Sequence, residues 1–125
     1  MKQPEADLQK ACVRWFRYQY RDLMLFSIPN SNDMSASDRQ KAVRVMAKLK
    51  ATGLVPGVAD LFLAVPNSFA HGLFIEMKAK GGRQSPAQKQ FQEIVMEAKY
   101  CYDVIDNFDD FVKLIEYYLK GSKNG

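Results

Sequence analysis

The sequence has few of the residues that build redox centres and histidine-based sites. It contains two cysteines, Cys12 and Cys101, and a single histidine, His71. Two cysteines are too few for a disulfide scaffold and have no metal-ligand spacing, so we expect both to be buried as small apolar side chains. The lone histidine falls in a predicted turn, which argues against a histidine metal site or a Ser-His-Asp triad.

Long hydrophobic runs, internal repeats and low-complexity tracts are absent as well. No apolar run approaches the roughly 20 residues of a membrane span. The polar stretch "MKQPEADLQK" lacks the apolar segment of a secretory signal. We therefore expect a cytoplasmic protein with no membrane contact. The length predicts a single domain, 1–125, with one core.

Apolar periodicity predicts alternating helices and strands. We expect helices over 4–20, 38–52, 86–99 and from the capping residue Asn107 onward, and strands over 23–29, 58–65, 73–78 and 100–105. Helix 86–99 should bury Phe91, Ile94, Val95 and Ala98. The order predicts an α/β domain with a mixed central sheet, in which 58–65 and 73–78 form an antiparallel hairpin.

Charged residues interrupt two of the predicted strands. The stretch "GLFIEMKAKGG" carries Glu76 and Lys78 two positions apart, so both point to one strand face. Asp60 interrupts the preceding strand. If these strands pair, the Asp60 and Glu76 carboxylates lie side by side and each is driven toward its protonated form. A hard cation such as Mg²⁺ or Mn²⁺ relieves that conflict. Lys78 would then contact a metal-bound water.

Two further polar residues stand at inward-facing helix positions. Glu5 is in helical register with Leu8, and Gln88 lies at the edge of the inward face of its helix. Both have plainer alternatives: a carboxylate favoured in a first helical turn, and a capping box with Ser85. Glu76 and Lys78 would likewise fit an exposed edge-strand pair, although this leaves Asp60 unexplained.

The ordered motifs resemble the PD-(D/E)xK nuclease superfamily, and within it the virus-type replication-repair nuclease (VRR-NUC) family. The matching stretches are "PEADLQ" with Glu5, Pro29-Asn30, "GLVPGVAD" ending at Asp60, "EMK" over 76–78, and "SPAQKQF" with Gln88. The resemblance covers nearly the whole chain, with every motif present. It looks closest to stand-alone phage or bacterial members.

The resemblance implies a restriction-endonuclease-like core and a Mg²⁺- or Mn²⁺-dependent deoxyribonuclease that hydrolyses phosphodiester bonds. It implies a metal held by Asp60, Glu76, the backbone carbonyl of Met77 and, through a water or a second metal position, Glu5. Lys78 would orient or deprotonate the attacking water, and Gln88 would position Lys78 or that water. The alternatives are an inactive nucleic-acid-binding module of the same fold and a metal enzyme acting on a small phosphorylated molecule.

Basic residues form two candidate DNA contacts, in a chain whose formal net charge of +4 favours polyanionic partners. The expected contacts are Lys41, Arg44 and Lys48 on the second helix, Lys80 and Arg83 in "KAKGGR", and Asn30 from the resemblance. The helical stripe also fits an ordinary solvated surface.

The family resemblance further implies a homodimer acting on four-way (Holliday) junctions, with flaps, nicks or ends as the alternative substrates. Two nicks on opposing strands need two sites related by a two-fold axis. Tyr117 and Tyr118 cannot both face one core, so the last helix is a candidate dimer surface.

Overall fold

Eight regular elements occur in the predicted order in the computed structural model, which describes residues 1–29 and 39–123, with side chains as far as Gly121. They are α1 Gln3–Gln19, β1 Leu25–Ser27, α2 Arg39–Ala51, β2 Leu61–Leu63, β3 Leu73–Met77, α3 Pro86–Glu97, β4 Cys101–Ile105 and α4 Phe108–Lys123. The predicted contact residue Asn30 lies outside the described residues. None of the described helices is long and apolar enough to cross a membrane. The cytoplasmic location stays a prediction.

The apolar strands pair into one sheet with the order β1-β2-β3-β4. β2 is antiparallel to β1 and to β3, and β4 is parallel to β3. The parallel pair requires a crossover, which α3 supplies. The α/β class, the mixed sheet and the hairpin are therefore confirmed. Leu61 lies opposite Ile75, so the next positions outward, Asp60 and Glu76, also face each other.

Two strands are shorter than predicted. Strand 58–65 is reduced to Leu61–Leu63 and strand 23–29 to Leu25–Ser27. Asp60 therefore lies just before β2 and not inside it. A turn comes immediately before, with the N–H of Val58 bonded to the carbonyl of Val55 at 3.3 Å. The prediction failed here because a pattern of apolar residues does not reveal where a turn ends the hydrogen bonding between two strands.

The core lies between one face of the sheet and helices α1 and α4. Its largest fully buried side chains include Phe16, Leu61, Leu63, Ile75, Phe111, Ile115 and Tyr118. Phe111, Ile115 and Tyr118 thus form the buried stripe of α4. Tyr118 is 2% exposed and Tyr117 is 70% exposed, as the helical spacing required.

The other face of the sheet is rich in aromatic rings. Phe91 of α3 packs edge-on against Phe74 of β3, with ring centroids 5.2 Å apart. The prediction that α3 buries Ile94 and Ala98 is wrong, since Ile94 is 61% exposed and Ala98 is the exposed C-cap. α3 packs on the sheet mainly through β4, so only a narrow stripe of the helix is covered.

The cysteines differ in their surroundings, and neither forms a disulfide. Cys12 is fully buried in the core, as expected. Cys101 is only partly buried, because it begins β4 at the end of the sheet. The prediction is confirmed for Cys12 and wrong for Cys101.

Gly57, in the turn before β2, packs directly against the backbone at the start of α3. Its φ is +81°, and a Cβ there would lie 2.4 Å from the backbone carbonyl of Ala87 and 2.7 Å from the nitrogen of Gln88. Gly53 has a φ of +117° with open space around it. Comparing substitutions at the two glycines therefore separates the effect of a strained φ angle from the effect of a steric clash.

We expect Gly57→Ala to lower the free energy of unfolding by at least about 2 kcal/mol more than Gly53→Ala, because strain and overpacking act together. Gly53→Ala should cost on the order of 1 kcal/mol from its φ angle alone. Urea denaturation followed by circular dichroism measures both. Equal losses in the two variants would show that α3 does not need the space above Gly57.

Candidate active site

A pocket of about 420 Å³ opens at the end of the β2–β3 hairpin. Its described lining residues are Met1, Lys2, Glu5, Asp60, Glu76, Lys78, Gly82, Arg83 and Gln88. They come from α1, the hairpin, the loop after β3 and α3. The structure thus brings together the five residues that the sequence motifs singled out.

Two buried carboxylates line this pocket. Asp60 is 5% exposed and Glu76 is 3% exposed. Asp60 Oδ2 accepts a hydrogen bond from the backbone N–H of Met77 at 2.8 Å. This contact holds the Asp60 side chain against β3, beside Glu76.

The two oxygens of Glu76 have different surroundings. Oε2 accepts a hydrogen bond from the amide of Gln88 at 3.0 Å and lies 3.9 Å from Lys78 Nζ. Oε1 is buried and has no hydrogen-bond partner among the described residues. An unsatisfied buried acceptor costs free energy, so this oxygen is a candidate ligand atom.

Burial, followed by the charge of Asp60 and a side-chain hydrogen bond with Asp60, raises the pKa of Glu76 to about 9. The ammonium of Lys78 acts in the opposite direction without cancelling these effects. Without a cation, the pair therefore holds a proton at neutral pH. A metal ion held by these carboxylates would displace that proton.

Gln88 caps α3 and also contacts the pocket, whereas its predicted role of positioning Lys78 or the attacking water stays a prediction. Its Oε1 accepts the N–H of Ser85 at 2.8 Å, while Ser85 Oγ accepts the N–H of Gln88 at 3.2 Å. This capping box fixes the carbonyl end of the side chain, so the NH₂ end faces Glu76. Its contact is with Glu76, and any effect of Gln88 on Lys78 passes through that carboxylate.

Lys78 lies just beyond β3 and not within it, which corrects the predicted strand end. Its backbone N–H still bonds to the carbonyl of Ile105 at 2.9 Å, so the residue is held by β4. Its side chain is 14% exposed and lines the pocket. The ammonium group is therefore held beside the carboxylates with access to solvent.

Glu5 lines the same pocket from the first turn of α1. Its Oε1 accepts the N–H of Ala79 at 3.3 Å, which ties the start of α1 to the chain leaving β3. No group of three or more Asp, Glu, His or Cys side chains suited to hold a metal occurs in residues 1–29 and 39–123. Glu5 therefore does not complete a carboxylate triad with Asp60 and Glu76.

The donors present nevertheless fit a hard divalent cation. Mg²⁺ is typically held by one or two carboxylates, with waters and substrate phosphates as its other ligands. Asp60 and Glu76 supply two carboxylates, and the unpartnered Oε1 of Glu76 supplies a free acceptor. The assignment of Met77 and Glu5 as ligands stays a prediction.

The predicted DNA contacts are distributed unevenly around the pocket. Arg83 lines it, whereas Lys80 is exposed outside it. The α2 residues Lys41, Arg44 and Lys48 are exposed and are not among its described lining residues. A bound polymer would therefore have to reach beyond the pocket to touch α2.

The sequence reasoning missed a hydrogen-bonded network behind the pocket. Gln84 Nε2 donates to Gln92 Oε1 at 3.0 Å and to the Tyr102 hydroxyl at 3.2 Å. Burial, followed by the charge of Glu76, raises the pKa of Tyr102, so its phenol stays protonated. The network ties the loop before α3 to β4. The only sign of this network in the sequence is that Gln84 directly precedes the capping residue Ser85.

We expect the metal-free protein to lose stability as pH rises from 5 to 8. Unfolded Glu76 releases its proton near its ordinary pKa of 4.5 and folded Glu76 near 9, so in this window the folded state binds the extra proton. Glu76→Gln mimics the protonated form and should remove this dependence. Its unfolding free energy relative to the wild type should rise by about 1 kcal/mol or more across the window.

Urea denaturation in EDTA at each pH gives the comparison, with the exposed Glu116→Gln as the matched control. If Glu76→Gln and Glu116→Gln showed the same pH dependence as the wild type, Glu76 would be ionised in the folded protein.

Comparisons with known proteins agree with the motifs. The family model for the VRR-NUC domain matches residues 3–108. A solved structure described as a "VRR_NUC domain protein" aligns with a TM-score of 0.75 and 23% identity, over 98% of this chain and 93% of that chain. A search of curated proteins found no match. Because the family model spans most of the sequence, the chain belongs to the VRR-NUC family and has that family's nuclease-type fold.

Proposed function

We propose that the protein is a metal-dependent deoxyribonuclease that cleaves internal phosphodiester bonds of DNA. The observation that carries this proposal is the buried carboxylate pair, Asp60 and Glu76, whose free oxygen Glu76 Oε1 has no partner within the described residues. A buried acidic pair is costly for a protein that only binds a polyanion. It is useful for a protein that binds Mg²⁺ or Mn²⁺.

Asp60 and Glu76 would hold the metal, with the Met77 carbonyl and, through water, Glu5 as further ligands. When bound, the metal would polarise the scissile phosphate and stabilise its developing negative charge. Lys78 would orient the attacking water with its ammonium group, which is held 3.9 Å from Glu76, or would accept the water's proton after first losing its own. Gln88 would fix the orientation of the Glu76 carboxylate.

The basic residues around the pocket favour a DNA backbone as the ligand. Arg83 lines the pocket, and Lys80 lies nearby in the same loop. The α2 stripe of Lys41, Arg44 and Lys48 would add contacts farther along the substrate. Contacts of this kind position DNA without reading its sequence.

We expect Asp60→Asn to reduce cleavage of supercoiled plasmid in Mg²⁺ by on the order of 10³-fold, since metal polarisation contributes several kcal/mol. DNA binding measured in EDTA should be unchanged or tighter, because the substitution removes a negative charge near phosphate. Agarose gels give the cleavage rate, and fluorescence anisotropy gives the affinity.

The matched control is Asp22→Asn, the same chemical change at an exposed position between α1 and β1. It should cleave at the wild-type rate. Full activity of Asp60→Asn would exclude Asp60 as an essential metal ligand. Binding by the wild type with no cleavage in Mg²⁺ or Mn²⁺ would instead favour the inactive binding module of the same fold.

We further propose that two copies act together on four-way junctions, with flaps, nicks and ends as the competing substrates. The support is two exposed aromatic residues, Tyr117 in α4 and Phe69 in the turn between β2 and β3. Tyr117 is 70% exposed and Phe69 is 56% exposed. Phe69 contacts the position of Gly121, where a Cβ would lie 3.2 Å from its ring. Tyr117 and Gly121 share a helix face, so both rings border one surface. Aromatic residues are enriched at such interfaces.

We expect the wild type to have a dimeric mass by light scattering and Tyr117→Ser to be monomeric. On a cruciform-extruding plasmid, a dimer should make paired nicks and release linear DNA directly. Independent nicks would let the cruciform reabsorb and leave open circles.

The control is Tyr18→Ser, because Tyr18 is 72% exposed on α1 and is not part of this surface. A monomeric wild type that yields only open circles would refute the dimer and leave the nuclease proposal intact.

A further inference from the structure

A second concave surface runs along α1, beside the candidate active site. It is a groove of about 580 Å³ between α1 and the edge strand β1. From α1, Lys10, Arg14 and Arg17 line it, and from β1, Leu25 and Ser27 do so. None of these residues takes part in the proposed catalysis or in the DNA contacts predicted from the sequence.

The helical wall of this groove is a row of cations. Lys10, Arg14 and Arg17 are spaced at i, i+4 and i+7, so they follow one side of α1. All three are exposed. Among the described residues, no carboxylate lies within ion-pairing distance of them, and no acidic side chain lines the groove. A row of cations like this is also common on a helix face that only contacts water. Here, however, the three exposed side chains line a groove.

The strand wall of the groove offers backbone donors. The N–H of Ile28 bonds to the carbonyl of Asp60, toward β2. Backbone groups alternate in direction along an antiparallel strand, so the N–H groups of Leu25 and Ser27 point away from β2, at the sheet edge that borders the groove. Backbone N–H groups and cationic side chains are the usual partners of phosphate oxygens.

The groove leads to the catalytic carboxylates along both of its walls. On the strand side, Ser27 lies opposite Leu61, the neighbour of Asp60. On the helix side, Ala6 lines the groove and its neighbour Glu5 lines the active-site pocket. A polymer lying in the groove would therefore continue into the pocket.

We propose that this groove binds the sugar-phosphate backbone of an unpaired DNA strand that enters or leaves the cleavage site. Its volume is in the range of small-ligand sites, so a duplex can only rest on its rim, whereas a single strand can lie within it. A pairing peptide strand is a poorer fit, because β1 offers only three residues of edge and the row of cations favours a polyanion. The proposal rests on the proposed nuclease function and concerns the flap and end substrates, since a four-way junction has no unpaired strand.

The test compares single-stranded and duplex DNA on the full chain in EDTA, where binding is measured without cleavage. The probes are a fluorescein-labelled oligothymidylate and a duplex of equal length. Arg14→Gln with Arg17→Gln should weaken single-strand binding on the order of tenfold. The salt slope should flatten by about 0.7 for each phosphate that the variant no longer neutralises. Duplex affinity should fall no more than in the control.

The control is Lys50→Gln with Lys89→Gln, which removes the same charge from exposed helix positions outside the groove and outside the proposed dimer surface. Glutamine is a good helix former, and circular dichroism verifies that both double variants are folded. Equal weakening on both DNAs, or equal weakening in both variants, would overturn the proposal. Displacement of the oligonucleotide by polyglutamate at matched charge would also overturn it by assigning the groove to an acidic peptide.

The outcome separates this inference from the nuclease proposal. If the wild type cleaves plasmid but does not bind the oligothymidylate, the groove proposal fails alone. If the arginine variant selectively loses single-strand binding while the wild type never cleaves DNA, the groove stands and the nuclease proposal fails.

Discussion

The placement of two carboxylates side by side in a buried site is the constraint on which this site depends. Asp60 and Glu76 are almost completely buried, and removing two like charges from water is unfavourable in itself. The surrounding chain reduces the cost with hydrogen bonds, from the Met77 N–H to Asp60 and from the Gln88 amide to Glu76. One oxygen of Glu76 is left without a donor among the described residues, so the protein alone satisfies the site incompletely.

The supporting contacts connect this pair to every layer of the fold. Gln88 can point its amide at Glu76 only because the same side chain caps α3. Gly57 leaves room for that helix start because it has no Cβ. Glu5 ties α1 to the chain leaving β3. The orientation of the acids therefore depends on where two helices begin, and not only on the hairpin that carries them.

The sequence predicted the order of the elements well, and it singled out residues that the fold brings together in one pocket, for a physical reason. Helical and strand periodicities are strong where one face is buried, as along α4, and Asp60 and Glu76 stand out because they break such a pattern. Strand ends were predicted poorly, since a turn next to Asp60 interrupts pairing within an apolar run. The exposure of Ile94 depends on how α3 lies across the sheet, which no local pattern encodes. The unpartnered oxygen of Glu76 and the groove along α1 are properties of packing, so only the folded chain reveals them.

The hydrogen bond between Glu5 and Ala79 joins residues 74 positions apart, and the pocket also needs Gln88. Contacts of such long sequence separation form only after much of the chain has been ordered. A ribosome-bound chain that ends before α3 thus lacks the donor that orients Glu76, and it has no assembled site. Any hydrolytic activity would then need a chain that has been synthesised at least through α3, so shorter nascent chains would be harmless to nucleic acids in the cell.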